Sequence, residues 1–446
     1  MQQYTPAQQN LQAMLSNLNI DGLKNKIIFT FVGLFIFRLC AQLPLFGIDA
    51  NNFANLAASN NLIGFLDLFS GGALGNVSII ALGIGPYITA SIVMQLLAVV
   101  VPHLEKLQKE EGEAGRRKIS QYTRVFAIVV AAIQALIFVV YLMKTAQSAI
   151  MPDVPLVGFA VGSIVILTAG SAFTMWLAEL MSERGIGNGA SMLIFCGIIS
   201  KIPFYCQQTS TLVTGNPSLQ LPLLVLLMIF IATMLLIVIM QEAARKVIIV
   251  TPRRQSGNKI IGGTNTYIPF KLNPGGVMPI IFAISLMIFP TTILDLVGKA
   301  NIPNETIREI LIAISNFLNP SGWAYNAVYF ALIVGLTFFY ASIIPNLQPK
   351  DISINLKKYG SSIPGVKPGE PTAKVLDNIL TKVIFIGAFG LGIVALIPSL
   401  SCNLTGITTL QGIGATSLII MVGVALDFIN QVKTNLLPKN YGSFLK

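Results

Sequence analysis

Apolar runs near twenty residues long recur along the whole of this 446-residue chain, and that recurrence limits its folds more than any other feature. A helix rises about 1.5 Å per residue, so about 20 apolar residues cross the roughly 30 Å hydrocarbon core of a bilayer. Ten such segments are predicted, at about 26–46, 62–101, 122–143, 155–181, 188–205, 221–241, 277–298, 324–345, 379–400 and 412–431. Charged residues are only 11% of the chain, against about 25% in a typical soluble domain. An open strand in lipid leaves its backbone groups unpaired, so helices are expected. A β-barrel would show short alternating segments instead. The expected fold class is an all-α polytopic membrane protein with ten transmembrane helices.

The second segment is too long for one simple span. It holds Gly71, Gly72, Gly75, Gly83, Gly85 and Pro86, so a break is predicted. A short half-inserted piece is expected near 62–74, followed by a full helix from about 77. Irregular backbone at that depth must be shielded by protein or face water.

Lys and Arg give the orientation. The N-terminal stretch through Lys26, the loops 102–121, 182–187, 242–276 and 346–378, and the C-terminal tail together hold 22 of the 29 cationic residues. The opposite loops hold only Lys144, Lys299 and Arg308. The positive-inside rule then places both termini and the long loops in the cytoplasm. The organisation expected is a cytoplasmic segment 1–25, a first half 26–205, a second half 206–431 and a cytoplasmic tail 432–446. Residues 1–20 lack a cationic start and a small-residue cleavage site, so the first apolar run is expected to persist. Segment two contains GIGPYI (83–88) and segment seven begins GGVMPII (275–281). Each is second in its group of five, and two five-helix halves have opposite topology. That suggests an inverted repeat with a path between the halves.

The charges argue against several functions. Ion-coupled transporters usually carry ionisable groups deep in the membrane. Here Arg38 lies in segment one, Glu179 near the end of segment four, and Asp295 and Asp427 near the ends of segments seven and ten. End positions let such side chains reach the interface. The four cysteines, Cys40, Cys196, Cys206 and Cys402, form no CxxC pair and read as small packing residues. His103 is the one histidine, so no metal site built on several histidines is possible. The chain has no P-loop, HExxH, GxSxG or Ser/His/Asp set. No enzyme activity, metal or cofactor is expected, and energy must come from a partner or the membrane potential.

Ile84 and Ile88 sit one helical turn apart after the glycine-rich stretch. They suit ordinary helix packing, or an apolar constriction that excludes water and ions by dewetting. Loop 242–276 carries Arg245, Lys246, Arg253, Arg254, Lys259 and Lys271, and loop 346–378 carries Lys350, Lys357, Lys358, Lys367 and Lys374. Those charges serve topology, or they dock an acidic surface such as ribosomal RNA.

Seven strings resemble the SecY family, the central subunit of the bacterial Sec translocon. They are FSGGAL (69–74), ALGIGPYITASIVMQLL (81–97), EGEAGRRKISQYTR (111–124), SERGIGNGAS (182–191), NPGGVMPIIFA (273–283), PGVKPGEPTAK (364–374) and GATSLIIMVGVALDF (414–428). They follow the family's order over nearly the whole chain. The resemblance implies a SecY-like clamshell of two inverted five-helix halves, with a short re-entrant plug at about 62–75 that includes Phe65, Phe69, Ser70, Gly71, Gly72, Ala73 and Leu74. It implies a pore ring of Ile84, Ile88, Ile194, Ile281 and Ile420. At the sixth place, where the family often has isoleucine, this chain has Ala190. The lateral gate would lie between helices two/three and seven/eight, with Thr89, Ser91, Gln95 and Ser285 among its polar members. Docking of the SecA motor ATPase and the ribosome would use Arg245, Arg253, Arg254, Lys357, Lys358 and Lys367. Lys367 stands where the family motif carries arginine, which keeps the charge but loses the guanidinium fork.

The implied function is a protein-conducting channel in the bacterial cytoplasmic membrane. It would pass unfolded secretory polypeptides across and release transmembrane segments sideways into lipid. Its implied partners are SecE-like and SecG-like small subunits, SecA, the ribosome, signal peptides, nascent chains and membrane lipid. The rival readings are a secondary transporter of a small solute and a catalytic membrane protein.

Overall fold

The computed structural model describes residues 21–48, 72–109, 112–145, 150–151, 155–250, 254–256, 259–261, 265–287, 322–343, 348–407 and 415–442. A helix stands at each of the ten expected segments. They are α1 (Asp21–Gln42), α2 (Gly85–Val100), α3 (Gly112–Thr145), α4 (Leu156–Arg184), α5 (Gly189–Gly215), α6 (Gln220–Glu242), α7 (Met278–Met287), α8 (Trp323–Ile343), α9 (Glu370–Thr405) and α10 (Ala415–Gly442). Seven of the helices are long and apolar enough to cross a membrane.

Their surfaces are apolar where a soluble protein's would be polar. On α6, Leu221, Leu224, Met228, Ile231, Leu235 and Ile239 recur every three or four residues and are each more than half exposed. On α4 the same holds for Val157, Val161 and Val165. A contiguous apolar surface of this kind needs a nonaqueous cover, and lipid supplies it.

Local chemistry sets the helix ends. Pro86 stands in the first turn of α2, where a missing N–H costs nothing. The side chain of Asn188 accepts a hydrogen bond from the Ala190 N–H at 3.0 Å and caps α5. Gly406, at φ 70°, ends α9 in the left-handed conformation that glycine adopts freely.

Segment two is broken, but its helix starts at Gly85, not near 77. Residues 72–84 run as successive turns, with Gly72 at φ 84° and Gly83 at φ 55°. The backbone of this stretch finds protein partners. The Leu45 N–H donates to Val77 O at 2.8 Å, and the Ile79 N–H donates to Leu43 O at 3.0 Å. Gly83 O accepts from the hydroxyl of Thr174 at 2.9 Å. Non-helical backbone at membrane depth requires such partners.

Loop 242–276 departs from an all-helical plan. It contains strands β1 (Ala244–Val250), β2 (Arg254–Ser256), β3 (Lys259–Ile261) and β4 (Asn265–Lys271), paired β1–β4 and β2–β3, both antiparallel. β1 buries Val247 and Ile249 and exposes Lys246 and Ile248, the alternation of a half-buried strand. The period is too short to register beside apolar runs of twenty residues. The hairpin packs through Val247 and Phe270 on Ala341 of α8 and on Leu376, Leu380 and Ile384 of α9. At 36 residues α9 is about 54 Å long at 1.5 Å per residue, longer than the hydrocarbon core, so its first turns are free to carry the hairpin.

Glycines let backbones touch. A Cβ at Gly170 of α4 would meet the carbonyl of Ile79, and one at Gly189 of α5 would meet the carbonyl of Ala178. Neither neighbour is a side chain that turns away. Gly170→Ala is expected to destabilise the detergent-extracted protein by about 1–3 kcal/mol, the usual cost of overpacking. Gly162→Ala, on the same helix with open space around it, is expected to be neutral or slightly stabilising. Thermal unfolding of the two variants against the parent checks this, and equal stability of both would contradict the close packing.

Candidate functional site

The second segment delivers two isoleucines to the centre of the protein. Ile84 caps α2, and Ile88 follows one turn later. The turn before them is held by Ser171 and Thr174 of α4, whose hydroxyls both donate to Gly83 O. Ile194 lies one turn beyond Ala190 on α5. Ile281 is the fourth residue of α7, which follows a turn in which Asn273 Nδ2 donates to Gly276 O at 2.6 Å. Ile420 sits on the buried side of α10. These five isoleucines are at most 8% exposed and belong to one continuous apolar cluster, against which Ala190 packs. Five of the six expected ring positions therefore fall within one large buried cluster and the sixth packs against it, although they span residues 84 to 420. Ile92, Ile198, Ile280, Ile284 and Val424 join them in the cluster. The sequence singled out none of these five, since nothing marks them apart from other membrane isoleucines and valines.

Of the expected plug, Phe65, Phe69, Ser70 and Gly71 lie outside the described residues. Gly72, Ala73 and Leu74 form turns, and Ala73 is fully buried in the central cluster. Gly72 lies against two cationic side chains. A Cβ there would stand 2.6 Å from Lys201 Cε and 3.5 Å from Arg38 Nη1. Arg38, the charge set deepest in segment one, thus faces the turn at 72–74 together with Lys201 of α5.

The four polar residues expected at the gate bond within their own helices. Thr89 Oγ1 donates to Gly85 O at 3.1 Å, Gln95 Nε2 to Ser91 Oγ at 3.1 Å, and Ser285 Oγ to Ile281 O at 2.9 Å. Bonds of this kind satisfy a hydroxyl without fixing a neighbouring helix. Glu179 does not simply reach the interface. It pairs with Arg124 of α3 at 2.8 Å, with the carboxylate side chain 17% exposed. Asp427 is exposed, and Asp295 lies outside the described residues.

Among the basic residues, Arg245 is exposed on β1, and Arg254 begins β2. Lys357 and Lys358 end a short helix, Pro349–Lys358, and both are exposed, as is Lys367. Arg253 lies outside the described residues. The two loops form one unit. Val250 and Ser362 exchange backbone hydrogen bonds of 2.9 and 3.0 Å across a β-bridge. Lys246 Nζ lies 4.8 Å from the centre of the Tyr267 ring, a cation–π contact.

The turn between α4 and α5 is tied from three directions. The Ile186 N–H donates to Thr30 Oγ1 of α1 at 3.0 Å, the Gly189 N–H to Ser182 Oγ at 2.8 Å, and the Gly187 N–H to Gln431 Oε1 of α10 at 2.7 Å. The string SERGIGNGAS singled out this turn, but its partners at 30 and 431 lie too far along the chain to be read from sequence.

Apolar-surfaced helices around a buried isoleucine centre define a polytopic helical membrane protein. The SecY family model matches residues 78–429. Two relatives called protein translocase subunit SecY illustrate the range. The one from Synechococcus elongatus is 43% identical over 443 residues, covering 98% of this chain and 97% of its own. The one from Aquifex aeolicus is 38% identical over 431 residues, covering 96% and 97%. Among solved structures, a protein-conducting channel aligns with TM-score 0.67 at 18% identity, covering 94% of each chain. Sec61 in the canine ribosome–channel complex aligns with TM-score 0.64 at 17% identity, also covering 94% of each. This chain belongs to the SecY family, and it has the fold of the SecY and Sec61 channels.

Thr30 gives a direct check on the clamped turn. Thr30→Val leaves the buried Ile186 N–H without its acceptor, which costs about 1–3 kcal/mol. Thr30→Ser retains the acceptor and should keep most of the stability. Thermal unfolding in detergent reads the difference, and equal loss from both variants would mean that the methyl packing matters and the hydrogen bond does not.

Proposed function

We propose that this protein is a protein-conducting channel, carrying unfolded polypeptides across a membrane and releasing apolar segments sideways into lipid. One observation supports the reading: isoleucines from α2, α5, α7 and α10 share one buried apolar cluster in a membrane protein of the SecY family. Ile84, Ile88, Ile194, Ile281 and Ile420, with Ala190, form the pore ring. A translocated chain has no fixed chemistry, so its path must grip nothing. Apolar walls offer no hydrogen bonds and resist wetting when empty. Ala190 makes the ring smaller in bulk on the α5 side.

The stretch that includes Gly72–Leu74 is the plug. Its buried Ala73 lies in the same cluster as the ring. The gate opens between α2/α3 and α7/α8, where, among the described residues, the bonds of Thr89, Ser91, Gln95 and Ser285 run along their own helices. An apolar segment that leaves through it gains roughly 0.3–0.6 kcal/mol per good apolar residue, while a charged residue at the bilayer centre costs about 2.5–3.5 kcal/mol. A secondary transporter is less favoured, because the centre offers isoleucine where a solute site needs polar groups.

The membrane is the bacterial cytoplasmic membrane, with both termini in the cytoplasm, as the cationic loops require. SecE-like and SecG-like subunits, SecA and the ribosome are its partners, and no step needs catalysis by this chain. The bridged basic loops, with Arg245, Arg253, Arg254, Lys357, Lys358 and Lys367, are the docking face.

Two measurements test this. A secretory chain stalled in transit should cross-link to single cysteines placed at Ile84, Ile281 or Ile420, in a background lacking the native cysteines. Labelling confined to Leu224 or Met228, on the lipid side of α6, would defeat the assignment. Ile281→Ser and deletion of 65–75 should each raise ion conductance of the protein in planar bilayers. Conductance at the parent level in both would remove the seal from the centre.

A further inference from the structure

We infer that a cavity beside Ala190 seats the ammonium or guanidinium group of a lysine or arginine in the arriving polypeptide, and holds it at the threshold of the ring. This rests on the channel reading above. The cavity, of about 250 Å³, lies where four helices meet. Tyr87 lines it from α2, Ser120 and Arg124 from α3, Glu179 and Glu183 from α4, and Ala190 from the first turn of α5. It is smaller than the roughly 300–1,000 Å³ of a pocket for a drug-sized molecule, and it suits one long side chain. It borders the turn 182–187, on the side that the positive-inside rule assigns to the cytoplasm, where a chain arrives.

The lining sets two carboxylates against one guanidinium. Arg124 Nε donates to Glu179 Oε1 at 2.8 Å, which neutralises that pair. Glu183 is exposed and, among the described residues, has no ion pair or side-chain hydrogen bond. One net negative charge is left in the cavity, so an organic cation is attracted and an anion meets repulsion. Tyr87 adds an aromatic wall, which favours an organic cation further. A bare metal ion would need more oxygen ligands than these, and among the described residues no group of three His, Cys, Asp or Glu could hold one. Ala190 lines the cavity and also packs against the isoleucine cluster, so the cavity reaches the ring. An isoleucine in its place would take up part of the space. The residue that reduces the ring's bulk on the α5 side is thus also the one that leaves room for a side chain beside it. An exposed carboxylate binds weakly, so the contact delays a cation and does not trap it. The apolar segment that follows can reach the ring and the gate while its cationic flank stays behind.

The test uses membrane vesicles with the full chain and its partners. Two forms of one secretory precursor carry either lysines or glutamines ahead of the apolar signal segment. Glu183→Lys should slow the lysine form about two- to fivefold, the range of an exposed ion pair, and leave the glutamine form at the parent rate. Ala190→Ile fills the cavity and keeps every charge, and it should shrink the advantage of the lysine form. A lysine-to-glutamine rate ratio equal to the parent's in either variant would overturn the proposal. A cysteine beside a lysine of the stalled precursor should cross-link to Ser120→Cys, in a background without native cysteines. Labelling of Ile281→Cys with none at Ser120→Cys would show that the chain passes the ring without visiting the cavity. The parent ratio should persist in vesicles free of aminophospholipid, and its collapse there would assign the cavity to a lipid headgroup instead. A parent protein that transports neither form would sink the channel reading itself.

Discussion

Within a bilayer every backbone amide must find its partner inside the protein, and this constraint shapes the whole molecule. Helices meet it internally. The longest described stretch inside an apolar segment that is not helical, residues 72–84, meets it through its own turns and through neighbours. Its amides and carbonyls are taken up by residues 43–45, by Ser78 and by the hydroxyls of Ser171 and Thr174. Gly170 is needed so that α4 can approach close enough to do this. A break in a membrane helix is therefore not a local defect here. It is built jointly with α4 and with the end of α1, and it fixes where Ile84 and Ile88 point.

The same economy governs the centre. Isoleucines on four helices, drawn from both ends of the chain, share one buried apolar cluster. The side chains of this cluster are held by packing, which has no preferred direction, while the turn before Ile84 is held by hydrogen bonds from Ser171 and Thr174. Directional bonds lie at the edges: Arg124 to Glu179, Ile186 to Thr30, Gly187 to Gln431 and Asn430 to Glu242. An apolar middle inside a rim tied by directional bonds suits a passage for arbitrary chains.

The loops 242–276 and 346–378 follow a different rule, because they lie outside the apolar segments and meet water. Strands appear only in that region among the described residues, and the hairpin rests on α8 and on the extended start of α9. The bridge from Val250 to Ser362 makes one basic platform from two loops that are about a hundred residues apart in sequence. Any docking partner would meet both loops together.

The sequence alone determined the class of the fold. Twenty-residue apolar runs in lipid admit little besides helices, and a helix stands at each of the ten places. The strings around 81–97, 182–191 and 273–283 also pointed to the family that the relatives bear out. What the sequence did not determine was anything that joins distant residues. Thr30 with Ile186, Gln431 with Gly187, and Val250 with Ser362 are pairings between side chains or amides of common types, and no local pattern announces them. The start of α2 at Gly85 was misplaced for the same reason, since residues 77–84 are apolar enough for a helix and are turned aside only by their bonds to α1 and α4. Periodicity is a property of neighbours along the chain and survives in the sequence. Membership of five distant isoleucines in one buried cluster is a property of neighbours in space, and only the tertiary structure decided it.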